Sequence, residues 1–170
     1  MNPKSNNIGA FITSKLALDN TAVGAGVGGS GTPVNGNVFD RLANRNLLLS
    51  GKLQLGYKFT GASGNTATVG WALRDSDASG GTYTNVITST PGAHPASGSS
   101  TITANDDGSA VRGVIEVDVD LMGAKQFLRP TVTPTLSASG VDALDLCGVW
   151  ALGGGEELPA ARNGQGNDVW

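Results

Sequence analysis

The sequence has little of the material from which most catalytic and metal sites are built. Its 170 residues include one cysteine, one histidine and only 5% aromatic residues. A single cysteine excludes an intrachain disulfide, and zinc would need further ligands that this chain supplies poorly. We expect Cys147, which stands inside an apolar strand pattern, to be a buried small hydrophobe. His94 is expected to be an exposed residue of a Pro/Gly/Ser-rich loop, and no cofactor is predicted.

Charge and long apolar runs are also scarce. Charged residues make up 15% of the chain, the net charge is −3, and the basic residues are scattered without a run. Such a sequence carries no electrostatic footprint for nucleic acid. It has no apolar run of about eighteen residues that could span a membrane, and its N-terminus lacks the apolar segment of a signal peptide. We therefore expect assembly in a cytoplasm, without nucleic-acid or membrane partners.

What the sequence does contain is strand periodicity. In the stretch 111–121 apolar and charged residues alternate, which predicts a strand with one buried and one solvated face. Similar patterns occupy 47–59, 66–74, 126–136 and 141–152, with 26 glycines and no alternating helices. These features predict one all-β domain over 1–170, an antiparallel β-sandwich of jelly-roll type with about eight strands. An open barrel is the second choice.

Other segments are predicted to surround this sandwich. The first strand is expected over Ile8–Leu18, followed by a long Gly-rich loop or arm over 19–46 with a short helical turn at Val38–Asn46. The runs 47–59 and 66–74 are expected to form a hairpin. Residues 153–170 read as a C-terminal tail.

Two prolines constrain the predicted strand over 126–136. Pro130 and Pro134 cannot donate ladder hydrogen bonds. This strand should therefore lie at a sheet edge, or direct the missing donors outward at those positions.

Two short motifs match known binding patterns only in part. Gly24–Gly29 satisfies G-x-G-x-x-G, but no helix follows to hold a phosphate, so a flexible loop is the better interpretation. Asp75–Gly80 resembles the start of an EF-hand calcium loop, yet Val86 stands where the bidentate glutamate belongs. A β-turn explains the same residues.

An acidic strand face and a terminal tryptophan are the candidate interface residues. Glu116, Asp118 and Asp120 share one face at about 6–7 Å spacing, which would also fit a glycosidase pair. Because sugar sites also need aromatic platforms, we expect instead a solvated face or one that meets a basic patch on a partner. Trp170 ends a polar tail and would dock on its own domain, dock on a neighbouring subunit, or remain free.

Three segments carry a family resemblance. The run GWALRDSDASGGTYTNV over 70–86, the run GAKQFLRPTVTP over 123–134, and the closing strand that leads into LGGGEELP over 152–159 resemble the capsid cement (decoration) proteins of tailed bacteriophages. The likeness covers roughly residues 50–160, and the Gly-rich segment 19–36 has no counterpart in the pattern.

The resemblance implies a non-enzymatic virion protein on the capsid exterior. Its partners would be the major capsid protein and other copies of itself, as a homotrimer or homodimer. A phage tail or head-fibre component is an alternative in the same class. A carbohydrate-binding module would need a groove lined by Trp71, Trp150 or Tyr83, and an enzyme would use Glu116 and Asp118.

Overall fold

The structure is a computed structural model that describes residues 12–43, 48–86 and 96–153. Within these ranges the chain forms ten β-strands and no α-helix. The strands are β1 Thr13–Gly24, β2 Val34–Asn35, β3 Phe39–Asp40, β4 Ser50–Thr60, β5 Thr66–Ser76, β6 Thr84–Asn85, β7 Ser97–Thr103, β8 Val111–Asp120, β9 Phe127–Leu136 and β10 Ala143–Gly153.

These strands make two antiparallel sheets around one apolar core. The four-stranded sheet has the order β1-β10-β4-β8, and the six-stranded sheet has the order β2-β9-β5-β6, with β3 also on β9 and β7 also on β5. β2 and β3 both lie beside β9, and β6 and β7 both lie beside β5, so each of these pairs fills one strand position and the sandwich has eight strand positions. Each connection from one position to the next passes to the other sheet, except the connection that follows β5. This is jelly-roll order, so the predicted antiparallel sandwich is confirmed.

Alternation along the strands explains the core. In β8 the side chains of Ile115, Val117 and Val119 are buried, while the residues between them are exposed or half-buried. The largest fully buried side chain is Trp150 of β10. Its ring meets Phe39 of the opposite sheet edge to face, with centroids 5.6 Å apart. The two sheets are therefore joined by direct aromatic packing.

The prolines of β9 sit on the side that needs no donor. β9 is not an edge strand, because β5 pairs along its whole length and β2 and β3 cover parts of its other side. Opposite Pro130, Leu73 donates its N–H to Ala96, away from β9. The carbonyl of Pro130 accepts the N–H of Gly36 at 2.8 Å, so Pro130 faces the loop side. The edge alternative was wrong, and the outward-facing alternative is confirmed.

The first strand ends later than predicted. Residues 8–11 lie outside the described ranges, and β1 continues through Asp19 to Gly24. Its ladder with β10 shifts register between Leu16 and Leu18 and again before Thr21. These irregularities break the period-two pattern, which is why the second half of the strand could not be recognised from its periodicity.

The segment expected as an arm is fastened to the sandwich over its described part. Val34–Asn35 and Phe39–Asp40 pair with β9, so a strand replaces the expected helical turn at Phe39. Gly31 donates its N–H to Pro134 at 2.7 Å. Gly36 packs so closely that a Cβ there would lie 2.1 Å from the carbonyl oxygen of Ala17. Residues 44–47 of the expected turn lie outside the described ranges.

The expected hairpin between the second and third long strands does not form. β4 pairs with β10 and β8, whereas β5 pairs with β9, β6 and β7 in the other sheet. The connection at Gly61–Asn65 crosses from one sheet to the other. Adjacency in sequence was therefore a poor guide to pairing, as expected for a jelly roll.

Candidate interaction face

The outward side of the four-stranded sheet is the most distinctive surface of the described chain. We call it the outer face, meaning the side chains of β1, β10, β4 and β8 that point away from the core. Each of these strands is ten to twelve residues long and paired along nearly its full length. The outer face is thus displayed on a continuous hydrogen-bonded scaffold.

An apolar strip crosses the outer face from one edge strand to the other. It consists of Leu16, Val149, Cys147 and Val114. Leu16, Val149 and Val114 are 54%, 42% and 57% exposed, and Cys147 is also exposed. Leu16 stands opposite Val149 in the β1–β10 ladder. Exposed apolar residues that are contiguous, rather than scattered, are typical of interaction sites.

Gly56 makes a depression in the middle of this strip. It lies between Cys147 of β10 and Val114 of β8 in the ladders. A Cβ at Gly56 would lie 3.2 Å from the Sγ of Cys147. Because glycine has no side chain, the space beside Cys147 stays empty and forms the bottom of the depression. The depression has a volume of about 440 Å³, and its lining also includes Asn20 and Arg112.

One flank of the strip is acidic. Lys52 of β4 lies 3.2 Å from Glu116 and 3.1 Å from Asp118, so one ammonium group serves two carboxylates. Gln54 donates a second hydrogen bond to Glu116 at 2.9 Å. The hydrogen bond from Gln54, and then that from Lys52, lowers the pKa of Glu116. Hydrogen bonds to Asp118 and then to Glu116 raise the pKa of Lys52.

The other flank is basic at the sheet edge. Lys58 of β4 pairs with Asp145 of β10 at 3.5 Å. Arg112 of β8 stands directly opposite Lys58, a like-charge neighbour. Within the described ranges, Arg112 takes part in no salt bridge. The apolar strip is therefore bounded by negative charge on one side and by positive charge on the other.

The predicted interface residues have separate surroundings. Glu116 and Asp118 are exposed on the outer face beside the apolar strip, as their alternation predicted. Asp120 is half-buried at the end of β8, where its carboxylate accepts the N–H of Met122 at 2.9 Å. It also opposes the lowering of the pKa of Arg41 that burial causes. Trp170 and His94 lie outside the described residues.

Sequence reasoning missed the apolar strip itself. Cys147 was expected to be buried, and this was wrong. Side chains alternate between the two faces of a strand, and the even-numbered Leu146 and Trp150 are buried, so the odd-numbered Cys147 points to solvent. Val114 likewise occupies a position of the solvated side of β8. The signal available in the sequence was an apolar residue at a position where the strand alternation places polar residues.

The segment that resembles the start of a calcium loop has a structural role. The carboxylate of Asp75 is buried, accepting the backbone N–H of Lys125 at 3.0 Å and the hydroxyl of Thr84 at 3.4 Å. Asp77 pairs with the ammonium of Lys125 at 2.8 Å. Among the described residues no group of three His, Cys, Asp or Glu side chains is placed to hold a metal ion.

The aromatic residues needed for a sugar-binding groove are buried. Trp71, Trp150 and Tyr83 are 9%, 0% and 7% exposed. They offer little ring surface for stacking on a sugar.

In the described part of the chain there is also no helix long and apolar enough to cross a membrane. The outer face therefore remains the strongest candidate surface.

No protein-family model matches this sequence, and no curated protein is significantly similar to it.

Proposed function

We propose that this chain is a non-enzymatic virion protein that binds the outside of a phage capsid and stabilises it, as cement proteins do. The observation that carries the proposal is the apolar strip, framed by opposite charges on a rigid sheet. The resemblance of residues 50–160 to cement proteins supports the same role. The major capsid protein is the proposed partner, with further copies of this chain beside it on the virion exterior.

The strip suits a contact that forms once and persists. Leu16, Val149 and Val114 would leave water when the face docks, and apolar burial is worth roughly 25 cal/mol per Å² before binding costs are subtracted. The acidic and basic flanks would fix the orientation and exclude wrong partners. A ligand that binds only the assembled shell stabilises that shell by mass action.

Cys147 gives a direct test of the proposed face. As the single cysteine of the chain, it can be coupled to a maleimide-polyethylene glycol in the folded protein. We expect the coupled protein to lose binding to capsid shells assembled from the major capsid protein of the same virus. The measurement is co-sedimentation with expanded shells, with stoichiometry read from gels.

A matched control places the same label on the opposite sheet. In the double variant C147S/T101C the thiol lies on exposed Thr101 of β7, and its labelled form should co-sediment like the unlabelled chain. Unlabelled chain that ignores shells would overturn the proposal, and binding to a glycan array instead would favour the carbohydrate-binding alternative. Equal binding by both labelled proteins would exclude the outer face as the contact.

A further inference from the structure

Strand β8 is a long edge strand in the described part of the chain. It is the last strand of its sheet, and of the described strands only β4 pairs with it there. Leu121 donates its N–H to Leu49 at 2.9 Å, just beyond the β4–β8 ladder. In an antiparallel ladder this direction alternates, so odd-numbered residues of β8 bond towards β4. The even-numbered residues from Arg112 to Asp118 therefore direct their N–H and C=O groups away from the sheet.

The charges along this edge are asymmetric. Arg112 is at the start of β8, whereas Glu116 and Asp118 follow towards its end. Lys52 is shared by both of these carboxylates, so one negative charge remains uncompensated by that pair of contacts. Arg112 faces Lys58 rather than an acidic residue. A strand that is basic at one end and acidic at the other is complementary to a second copy of itself running antiparallel.

The parity of the hydrogen bonds limits the register of such a pairing. Even-numbered residues must lie opposite even-numbered residues of the second copy. Two registers with twofold symmetry meet this condition and pair nearly all residues of β8, one centred on Ile115 and one centred on Glu116. The register centred on Glu116 places Glu116 opposite Glu116 of the second copy. The register centred on Ile115 sets Arg112 against Asp118 and Val114 against Glu116, and no like charges meet.

We propose that two copies of this chain pair through β8 in the register centred on Ile115. The two four-stranded sheets then form one continuous sheet across a twofold axis, and the two apolar strips lie on one extended surface. The biological role of this dimer rests on the proposed function, as the self-contact of a cement protein. Charged side chains on a bare edge protect it from indiscriminate pairing, and here they also select the partner.

A charge swap tests both the surface and the register. The variants R112D and D118R each place like charges opposite one another and should weaken dimerisation at least about tenfold, one decade in the dissociation constant. The double variant R112D/D118R restores the pairs in reverse and should recover the dimer. The measurement is the mass of the full chain by sedimentation equilibrium over a concentration series, in low and in high salt.

A backbone test complements the charge swap. Val114→Pro removes an N–H that faces away from β4, so the monomer keeps its ladder while the dimer loses two of its bonds. We expect this variant to be monomeric and to unfold near the wild-type temperature. The swap D77K/K125D reverses an exposed ion pair whose two residues lie outside β8 and are not opposite Arg112, and it should leave the mass unchanged.

A monomeric wild-type chain, or an unchanged dimer in both V114P and R112D, would overturn the inference. These results are independent of shell binding. A monomer that still saturates shells would remove the dimer and leave the proposed function intact. A β8 dimer that ignores shells would do the reverse.

Discussion

Trp150 is fully buried, yet its indole N–H has no hydrogen-bond partner in the described structure. The side chain therefore contributes by volume and by its contact with Phe39, and not by its polar atom. A buried donor without a partner costs about 1–3 kcal/mol of stability. At this position shape and polarity act in opposite directions.

Two substitutions separate these effects. Trp150→Ala should lower the free energy of unfolding by about 3–5 kcal/mol, because it opens a cavity between the sheets. Trp150→Phe should cost clearly less, since it keeps most of the volume and removes the unpaired N–H. Urea denaturation of both variants measures the difference. Equal losses would contradict this expectation, because they would mean that the ring volume retained by phenylalanine contributes nothing.

The ion pairs around Lys52 belong to the outer face and should respond to pH. The pKa of Glu116 is lowered from its ordinary value of 4.5, so this carboxylate stabilises the fold above that pH and loses its contribution as pH falls through the lowered pKa. The pKa of Lys52 is raised from 10.5, so its contribution is present below that pH and lost as pH rises through the raised pKa.

Glu116→Gln should therefore reduce stability at neutral pH and match the wild type in strong acid. The effect should be small and sensitive to salt, because both partners are exposed. Thermal unfolding across pH 2 to 8, roughly the window in which a carboxylate titrates, measures it. In a Lys52→Met background the same substitution should have a smaller effect. A pH-independent difference between the two proteins would contradict the assignment.

At the scale of elements, Asp142 fastens two loops at one end of the sandwich. It is fully buried just before β10. Its carboxylate accepts the side-chain N–H of Asn65 at 2.8 Å and the backbone N–H of Ala138 at 3.1 Å. Asn65 belongs to the crossing between β4 and β5, whereas Ala138 belongs to the turn between β9 and β10. The carboxylate therefore ties together two connections that are distant in sequence.

Asp142→Ala should destabilise the fold by about 1–3 kcal/mol, because it leaves the half-buried donors of Asn65 and Ala138 without this acceptor. The matched control is Asp106→Ala, which removes an exposed carboxylate that accepts one hydrogen bond from Ser63 at 2.9 Å. That change should stay within about 0.5 kcal/mol. Chemical denaturation of both variants tests this. Similar losses would mean that burial of Asp142 is unimportant.

Element existence was more predictable than element pairing. The alternation in β8 placed Glu116 and Asp118 outside correctly, because each strand carries its own period-two signal. The hairpin over β4 and β5 was wrong because pairing depends on residues far away in sequence. The strand at Phe39–Asp40 forms against β9, and a two-residue strand has no periodicity of its own. The residues of the apolar strip likewise come from three strands, β1, β10 and β8, and no local pattern reveals how these strands are arranged in the sheet.

For the whole molecule, the last strand of the described chain has a central place. β10 lies between β1 and β4, with Leu152 opposite Thr13. A nascent chain therefore cannot complete this sheet until residues 143–153 have left the ribosome. Until then β1 and β4 have no central partner, and pairings of such long range form slowly. The sheet is therefore completed only after residues 143–153 have been synthesised, so the yield of protein in a crowded cell will depend on how well unfinished chains are kept apart.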